Sequence, residues 1–217
     1  MTELAELVRE RRSIRMFLRD RPVDRELVDE AVELASRAPS NSNVQPWRLF
    51  LATGPRRDRL AEALLEAAAI ELPVTTGLPE SYLPLRRELG ALVYGSMGIA
   101  RDDADARRIA QMRNFEFFRA PMAGVVCMHR DLGLPDAVGV GMYLQTLLLA
   151  LTERGLGTCV QVSIAAYPEI VREVLGIPEE LTVLCGLAIG HPDDSFPANH
   201  LHTPRRPVGE TVVHVAQ

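Results

Sequence analysis

Residues 136–154, DAVGVGMYLQTLLLALTER, decide the fold because they are apolar around nearly the whole circumference of a helix. We predict one long helix that ends at Gly155, since glycine adopts the left-handed conformation of a helix C-terminus without strain. A helix that is hydrophobic all round is buried at the centre of a domain or at a subunit interface. Its apolar part, 138–151, is too short for a membrane span and contains Gln145, so we expect no membrane association.

The segments on both sides of this helix predict further strands and helices. Predicted strands cover residues 47–53, 123–129, 158–163, 181–189 and 211–215. Predicted helices begin after the N-cap residues Thr2 and Asp24, at Gly54-Pro55 and at Pro168, and the last of these ends at Gly176. Few connections have the spacing of a parallel βαβ unit, so the predicted fold class is α+β, with a mixed central sheet flanked by helices.

The overall composition indicates one soluble domain over residues 1–217. The hydrophobic fraction is 47%, the charged fraction 24% and the net charge −5, so no basic field favours nucleic acid. All 24 basic side chains are arginine, which excludes Schiff-base and P-loop lysine chemistry. Three cysteines without a CxxC pair predict buried thiols, and no signal peptide is evident, so we expect a cytoplasmic protein.

Residues 72–112 show the least regular spacing of apolar residues in the chain, because Pro73, Pro79 and Pro84 interrupt it. We predict an insertion with short helices that acts as a lid, with Tyr82 and Tyr94 as candidate lid residues. The charged stretch 101–105 predicts a solvated surface rather than a metal site, because no further ligand type or glycine-rich loop accompanies its aspartates.

Two polar segments near the N-terminus predict a cofactor site. RRSIR, residues 11–15, follows the first helix, and its guanidinium forks and serine hydroxyl suit a phosphate. PSNSNVQPW, residues 39–47, offers amide and hydroxyl groups for the edge of a flavin or pterin ring, with Trp47 as an aromatic wall or as a core residue. Together they favour a mononucleotide cofactor.

Six motifs in this order make the chain resemble the FMN-dependent nitroreductase superfamily. They are RRSIR (11–15), APSNSNVQPW (38–47), NFEFFRAP (114–121), GLGT (155–158), GLAIGHP (186–192) and RRP (205–207). The resemblance covers nearly the whole chain outside 72–112. It implies an FMN-binding, intertwined homodimer with each active site at the subunit interface.

The resemblance also implies roles for particular residues. The phosphate and ribityl chain of FMN would be held by Arg11, Arg12, Ser13, Arg15, Arg205 and Arg206. The flavin would be approached by Ser40, Asn41, Asn43 and Gln45, some of them from the partner subunit. Along the isoalloxazine would lie Val160, Gln161 and Val162. Arg113, Asn114 and Phe118 are candidates for the substrate pocket, and no side chain is assigned as a catalytic acid or a metal ligand.

The implied activity is an FMN-dependent NAD(P)H oxidoreductase. Hydride would pass from NADH or NADPH through flavin N5 to a nitroaromatic, quinone or similar small acceptor, in a ping-pong mechanism. Two alternatives remain open: a specialised branch of the superfamily (a dehalogenase, an azoline oxidase or a flavin-fragmenting enzyme) and a non-catalytic flavin-binding or storage protein.

Overall fold

The computed structural model describes residues 3–73 and 77–215. The α-helices in these residues are α1 (Leu4–Glu10), α2 (Arg25–Ala35), α3 (Gly54–Ile70), α4 (Leu83–Ser96), α5 (Ala104–Met112), α6 (Leu134–Glu153), α7 (Pro168–Leu175) and α8 (Val208–Thr211). Single 3₁₀ turns occur at Asn41–Asn43, Glu80–Tyr82, Phe117–Arg119, Val162–Ala166 and Pro197–His200. The predicted cap residue Thr2 lies outside the described residues.

The centre of the molecule is a four-stranded sheet of β1 (Trp47–Thr53), β2 (Met122–His129), β3 (Gly157–Gln161) and β4 (Leu181–Gly190) in the order β1-β2-β4-β3. Every neighbouring pair of strands is antiparallel, so the prediction of a mixed sheet is wrong. In the part of the chain that the structure describes, parallel pairing occurs only at an isolated bridge between Ser13 and Thr158. Helices cover both faces of the sheet. A strand that is buried on both faces is apolar throughout whether it pairs parallel or antiparallel, so its composition does not reveal the direction of pairing.

The long helix predicted from its apolar sequence is α6, and it lies in the core. Tyr143, Leu147 and Leu151 pack with α2 and with the sheet residues Leu187 and Ile189. By length and hydropathy α6 could cross a membrane, but the core helix of a globular domain meets the same criterion. The left-handed φ of +72° at Gly155 confirms that this glycine follows the end of the helix.

The other face of the sheet is covered by α3 and α7. Leu60 and Leu64 of α3 and Val171 of α7 pack on Val125 of β2 in a second core cluster. Pro168 begins α7, and Gly176, with a φ of +68°, ends it as predicted. The sheet is therefore buried between two helical layers, which confirms the α+β fold class.

The prediction of a C-terminal strand over 211–215 is wrong within this chain. Residues up to Thr211 form α8, and 212–215 form no strand pairing with the described residues. The side chains of Val213 and Val215 are 85% and 93% exposed. A valine-rich segment has strand propensity, but it becomes a strand only where a neighbouring edge accepts its backbone hydrogen bonds.

Candidate active site

A cavity of about 760 Å³ lies between β3, the 3₁₀ turn at Phe117–Arg119 and the helices α4 and α5. Ser13 and Arg15 line it, together with Cys159 and Val160. The three candidates for the substrate pocket, Arg113, Asn114 and Phe118, also line it. The structure thus brings part of the predicted phosphate segment, the β3 edge and the predicted insertion to one site.

The RRSIR segment lies against β3 because its apolar residue anchors it there. Ile14 is buried, and its backbone N–H donates to the Thr158 carbonyl at 2.9 Å. A Cβ added at Gly157 would lie 2.7 Å from Ile14 Cγ1, so a glycine is needed for this approach. The segment runs alongside Gly157–Gln161, which directs Ser13 and Arg15 toward the cavity.

Asn199 fixes the same segment from the other side and was not singled out in the sequence. Its Oδ1 accepts from the Arg15 backbone N–H at 2.6 Å, and its Nδ2 donates to the carbonyls of Met16 and Asp193 at 2.8 and 2.9 Å. The side chain is 1% exposed and uses both ends of its amide. Asn199 therefore holds Arg15 in place, although the two residues are 184 positions apart.

The arginines of the predicted phosphate site form a cluster of uncompensated positive charge. Burial, and then the nearby Arg205 cation, lower the pKa of the Arg11 guanidinium. Within residues 3–73 and 77–215, none of Arg11, Arg12, Arg15 and Arg205 makes an ion pair with a carboxylate. A cluster of this kind suits an anion, whose charge would offset the repulsion among the guanidinium groups.

Four of the predicted phosphate ligands make side-chain contacts with their own chain, and one of them is Arg15, whose Nη1 donates to the Ser13 carbonyl at 3.1 Å. The Arg12 Nε–H donates to the Asn199 carbonyl at 2.5 Å, and Arg205 Nη1 donates to the Thr203 carbonyl at 2.9 Å. The Arg206 guanidinium lies 5.5 Å from the ring centroid of Tyr82, in the predicted insertion. Arg12 therefore joins the end of α1 to the turn at Pro197–His200, and Arg206 joins the C-terminal segment to the insertion.

The residues predicted along the isoalloxazine separate into three environments. Val160 lines the cavity, whereas the Val162 side chain is 64% exposed and is not part of its wall. Gln161 is 2% exposed, and its Nε2 donates to the Asn114 carbonyl at 2.5 Å. Its Oε1 is buried without a hydrogen-bond partner among the described residues.

The polar segment with Ser40, Asn41, Asn43 and Gln45 does not reach this cavity within one chain. It packs on the first turns of α6, where Asn41 Nδ2 lies 3.4 Å from Asp136 Oδ1. The hydroxyl of Ser40 accepts from the Gln45 backbone N–H at 3.0 Å and closes the turn. Asn43 and Gln45 have positive φ angles of 55° and 48°, so the loop has a defined, strained shape on the surface.

Trp47 is a core residue and does not form an aromatic wall of the cavity. Its ring stacks on Tyr143 of α6 with the ring centroids 4.8 Å apart and an interplanar angle of 9°. Its side chain is 8% exposed, within the cluster that joins α2, α6 and the sheet. The alternative interpretation as core packing is confirmed.

The predicted insertion supplies the remaining wall of the cavity. It forms α4 and α5, which agrees with the prediction of short helices, and Tyr94 lines the cavity. No residue of α4 is buried. A wall helix with so little buried surface is suited to move, and its role as a lid stays a prediction.

Cys159 reaches the cavity wall as a neutral thiol. Burial raises its pKa to about 11, although Arg15 and Arg11 oppose the shift. Burial likewise raises the pKa of Cys127 to about 11 and that of Cys185 to about 12. All three thiols are buried and free, as predicted, and the raised pKa favours the protonated form of Cys159 at neutral pH.

These thiols predict a loss of stability at alkaline pH. Between about pH 8.5 and 10 the unfolded chain releases thiol protons that the folded chain retains, so the free energy of unfolding falls as pH rises. The expected slope approaches roughly 1.4 kcal/mol per pH unit for each thiol. Urea denaturation at stepped pH measures it; lysine does not interfere, since the chain has none. An equally steep fall in a variant with all three cysteines replaced by alanine would contradict this explanation.

Comparisons with known proteins agree with this geometry. The model of the nitroreductase family matches residues 8–191. A 4-nitrobenzoate reductase from Nocardioides sp. (strain LMS-CY) is 37% identical over 216 residues, covering 95% of this chain and 87% of the relative. The nitroreductase NfnB of Mycolicibacterium smegmatis is 36% identical, covering 94% of this chain and 89% of its own.

Solved structures extend the likeness to the whole fold. The FMN- and NADPH-dependent nitroreductase NfnB from Sphigopyxis sp. strain HMH superposes with a TM-score of 0.94 at 34% identity, covering 100% of both chains. The FMN-dependent NfnB from Mycobacterium smegmatis in complex with NADPH gives a TM-score of 0.90 at 33% identity, covering 99% of this chain and 100% of that one. The chain belongs to the nitroreductase family.

Proposed function

We propose that this protein is an FMN-dependent NAD(P)H oxidoreductase that reduces nitroaromatic compounds and similar small acceptors. The observation that carries the proposal is the cluster of arginines beside Ser13, where the RRSIR segment borders the cavity and no carboxylate of residues 3–73 and 77–215 pairs with them. Relatives that act as nitrobenzoate reductases and structural neighbours that depend on FMN and NADPH support it.

The residues present fit FMN at both of its ends. For the phosphate, the cluster offers the guanidinium groups of Arg11, Arg15 and Arg205 and the hydroxyl of Ser13, with no carboxylate paired to these arginines in the described chain. For the ring system, Val160 lines the cavity, and the next residue along β3, Gln161, has a buried Oε1 without a hydrogen-bond partner among the described residues. Arg12 and Arg206 would support the site through their own contacts with the chain.

The bound FMN would supply hydride transfer between a nicotinamide and the acceptor. The protein's part is to hold this group and to shape the cavity for the second reactant. Its volume of about 760 Å³ is in the upper part of the range for small-molecule sites, which favours an enzyme over a storage protein with a covered ring. Cys159 stays protonated and contributes packing rather than charge.

A homodimer would complete the site. The first turns of α6 leave Leu134 85% and Val138 62% exposed, beside the segment that contains Ser40 and Gln45. Exposed apolar residues next to a defined polar loop favour a second copy of the chain as their cover, with the loop then facing the partner's cavity. The valine-rich residues 212–215 would gain a neighbour in the same way. A monomer by light scattering would exclude this arrangement.

We further propose that the enzyme works in the cytoplasm on small molecules and does not act on nucleic acid or in a membrane. The net charge of −5 and three unpaired cysteines agree with this.

The test of the proposed function is the visible absorption spectrum of the purified protein. We expect a flavin spectrum that bleaches on anaerobic addition of NADH or NADPH and returns when a nitroaromatic acceptor is added. A flavin spectrum that neither nucleotide bleaches would favour a storage protein or a specialised branch of the family. Failure of the protein to bind added FMN would overturn the proposal altogether.

A further inference from the structure

The charges of the segment 77–112 are distributed unequally between its two sides. It contains five arginines and five acidic residues, so the segment as a whole is neutral. Four of the arginines line the cavity: Arg86, Arg87, Arg101 and Arg107. None of the five acidic residues does. The fifth arginine, Arg108, instead donates a hydrogen bond to the Ala69 carbonyl at 2.9 Å.

Three of these arginines have no partner in the described chain. Arg107 lies 4.1 Å from the ring centroid of Tyr94, which holds it in place. By contrast, Arg86, Arg87 and Arg101 make neither a side-chain hydrogen bond nor an ion pair within residues 3–73 and 77–215. All three are exposed side chains on the lining of one cavity, so an anionic ligand bound there would supply the acceptors that their guanidinium groups lack within the described chain.

These arginines lie on a different wall from the proposed phosphate site. Arg86 and Arg87 belong to α4, and Arg101 follows that helix, whereas Ser13 and Arg15 lie along β3. One phosphate monoester needs a few donors, and the RRSIR segment with Arg205 already offers them. The wall formed by α4 and residue 101 is therefore free for a second anion.

We propose that Arg86, Arg87 and Arg101 bind an anionic group of the reactant that shares the cavity with the cofactor. The inference rests on the proposed function, because it concerns that reactant. Two sources have suitable chemistry: the carboxylate of an aromatic acceptor, or the phosphate that distinguishes NADPH from NADH. In either case the arginines select a charged reactant over a neutral one of the same shape, since a guanidinium fork donates two parallel hydrogen bonds to either anion.

The experiment compares charged and neutral ligands on charge-removing variants. Arg86→Gln, Arg87→Gln and Arg101→Gln are made singly and together, and Arg108→Gln is the matched control from the same segment. Titration calorimetry on the oxidised, FMN-loaded protein measures the binding of 4-nitrobenzoate and of its neutral methyl ester. We expect the triple variant to bind 4-nitrobenzoate about tenfold more weakly and the ester within twofold of the parent. Added salt should weaken only the charged ligand.

A second measurement identifies the source of the anion. Rapid anaerobic reduction gives the apparent affinities for NADPH and NADH. If the triple variant loses affinity for 4-nitrobenzoate alone, the arginines bind the carboxylate of the acceptor. If it loses affinity for NADPH alone, and not for NADH, they bind the nucleotide phosphate. Unchanged binding of both 4-nitrobenzoate and NADPH in the triple variant would overturn the inference. That result is distinct from failure of the proposed function, in which the parent protein itself binds FMN but reduces no nitroaromatic.

Discussion

Replacing Arg15 or Arg205 by alanine is expected to weaken FMN binding by about ten- to a hundredfold and to leave riboflavin binding unchanged. A hydrogen bond to a charged partner contributes roughly 1.5–3 kcal/mol, and each 1.4 kcal/mol is a factor of ten in affinity. Riboflavin lacks the phosphate, so it reports on the ring site alone. The ratio of the two dissociation constants therefore isolates the phosphate interaction.

The larger of the two effects should come from Arg15. Its backbone is fixed by Asn199, and its side chain lines the cavity, half-buried, with Nη1 donating to the Ser13 carbonyl at 3.1 Å. Arg205 is exposed, so water screens its charge more strongly. Removing either one also relieves repulsion in the cluster, which limits the net loss.

The measurement is the fluorescence quenching of FMN and of riboflavin by apoprotein. Arg9→Ala is the matched control, because Arg9 is an exposed arginine at the end of α1, next to the cluster but outside it. If both alanine variants kept the parent affinity for FMN, the phosphate assignment would fail. If FMN and riboflavin weakened equally, the arginines would act on the ring site or on the fold instead.

Much of the fold could be predicted because its signals are local. Proline at the start and glycine at the end bracket α7, and the apolar run of α6 is followed by the left-handed Gly155. The strand 47–53 was predicted with both of its ends. These signals depend on the conformational limits of single residues, which need no knowledge of the rest of the chain.

The errors concern features that depend on distant partners. Strand direction in a fully covered sheet, and pairing of the segment 211–215, are decided by neighbours that the segment itself does not encode. The same holds for the site. The RRSIR motif was recognisable, but the role of Asn199 follows only from a contact between residues 184 positions apart. The arginines of α4 can be recognised as candidate ligand-binding residues only in the structure, where they line the cavity and the nearby acidic residues do not.

Replacing the buried Arg57 by methionine is expected to lower the free energy of unfolding by about 3 kcal/mol. Arg57 is 3% exposed, and its guanidinium donates to the Ala120 carbonyl at 2.8 Å and to the Glu116 carbonyl, with Asp58 as its charged neighbour at 3.1 Å. Methionine keeps most of the packing but leaves the buried Ala120 carbonyl without its side-chain donor, whereas the Glu116 carbonyl keeps the Arg119 backbone N–H at 3.1 Å. Asp58 is half exposed, so water solvates its carboxylate once the Arg57 guanidinium is removed.

The carbonyls that Arg57 binds bracket a strained turn. Phe117, Phe118 and Arg119 have positive φ angles of 55°, 52° and 66°, a conformation that costs non-glycine residues of order 1 kcal/mol or more each. Phe118 lines the cavity at this turn. Loss of Arg57 should therefore loosen the cavity wall as well as the fold, and riboflavin and FMN binding should weaken together.

Thermal and urea unfolding measure the change in the free energy of unfolding in Arg57→Met, with Arg59→Met as the matched control. Arg59 lies two positions further along α3, exposed, so its substitution removes the same charge and stem without a buried contact. For a chain of this length, 3 kcal/mol corresponds to a decrease in Tm of roughly 6–12 °C. Equal stability of the two variants would show that the turn keeps its shape without the guanidinium. Arg57→Lys, which can satisfy only part of the donor set, should lie between the parent and Arg57→Met.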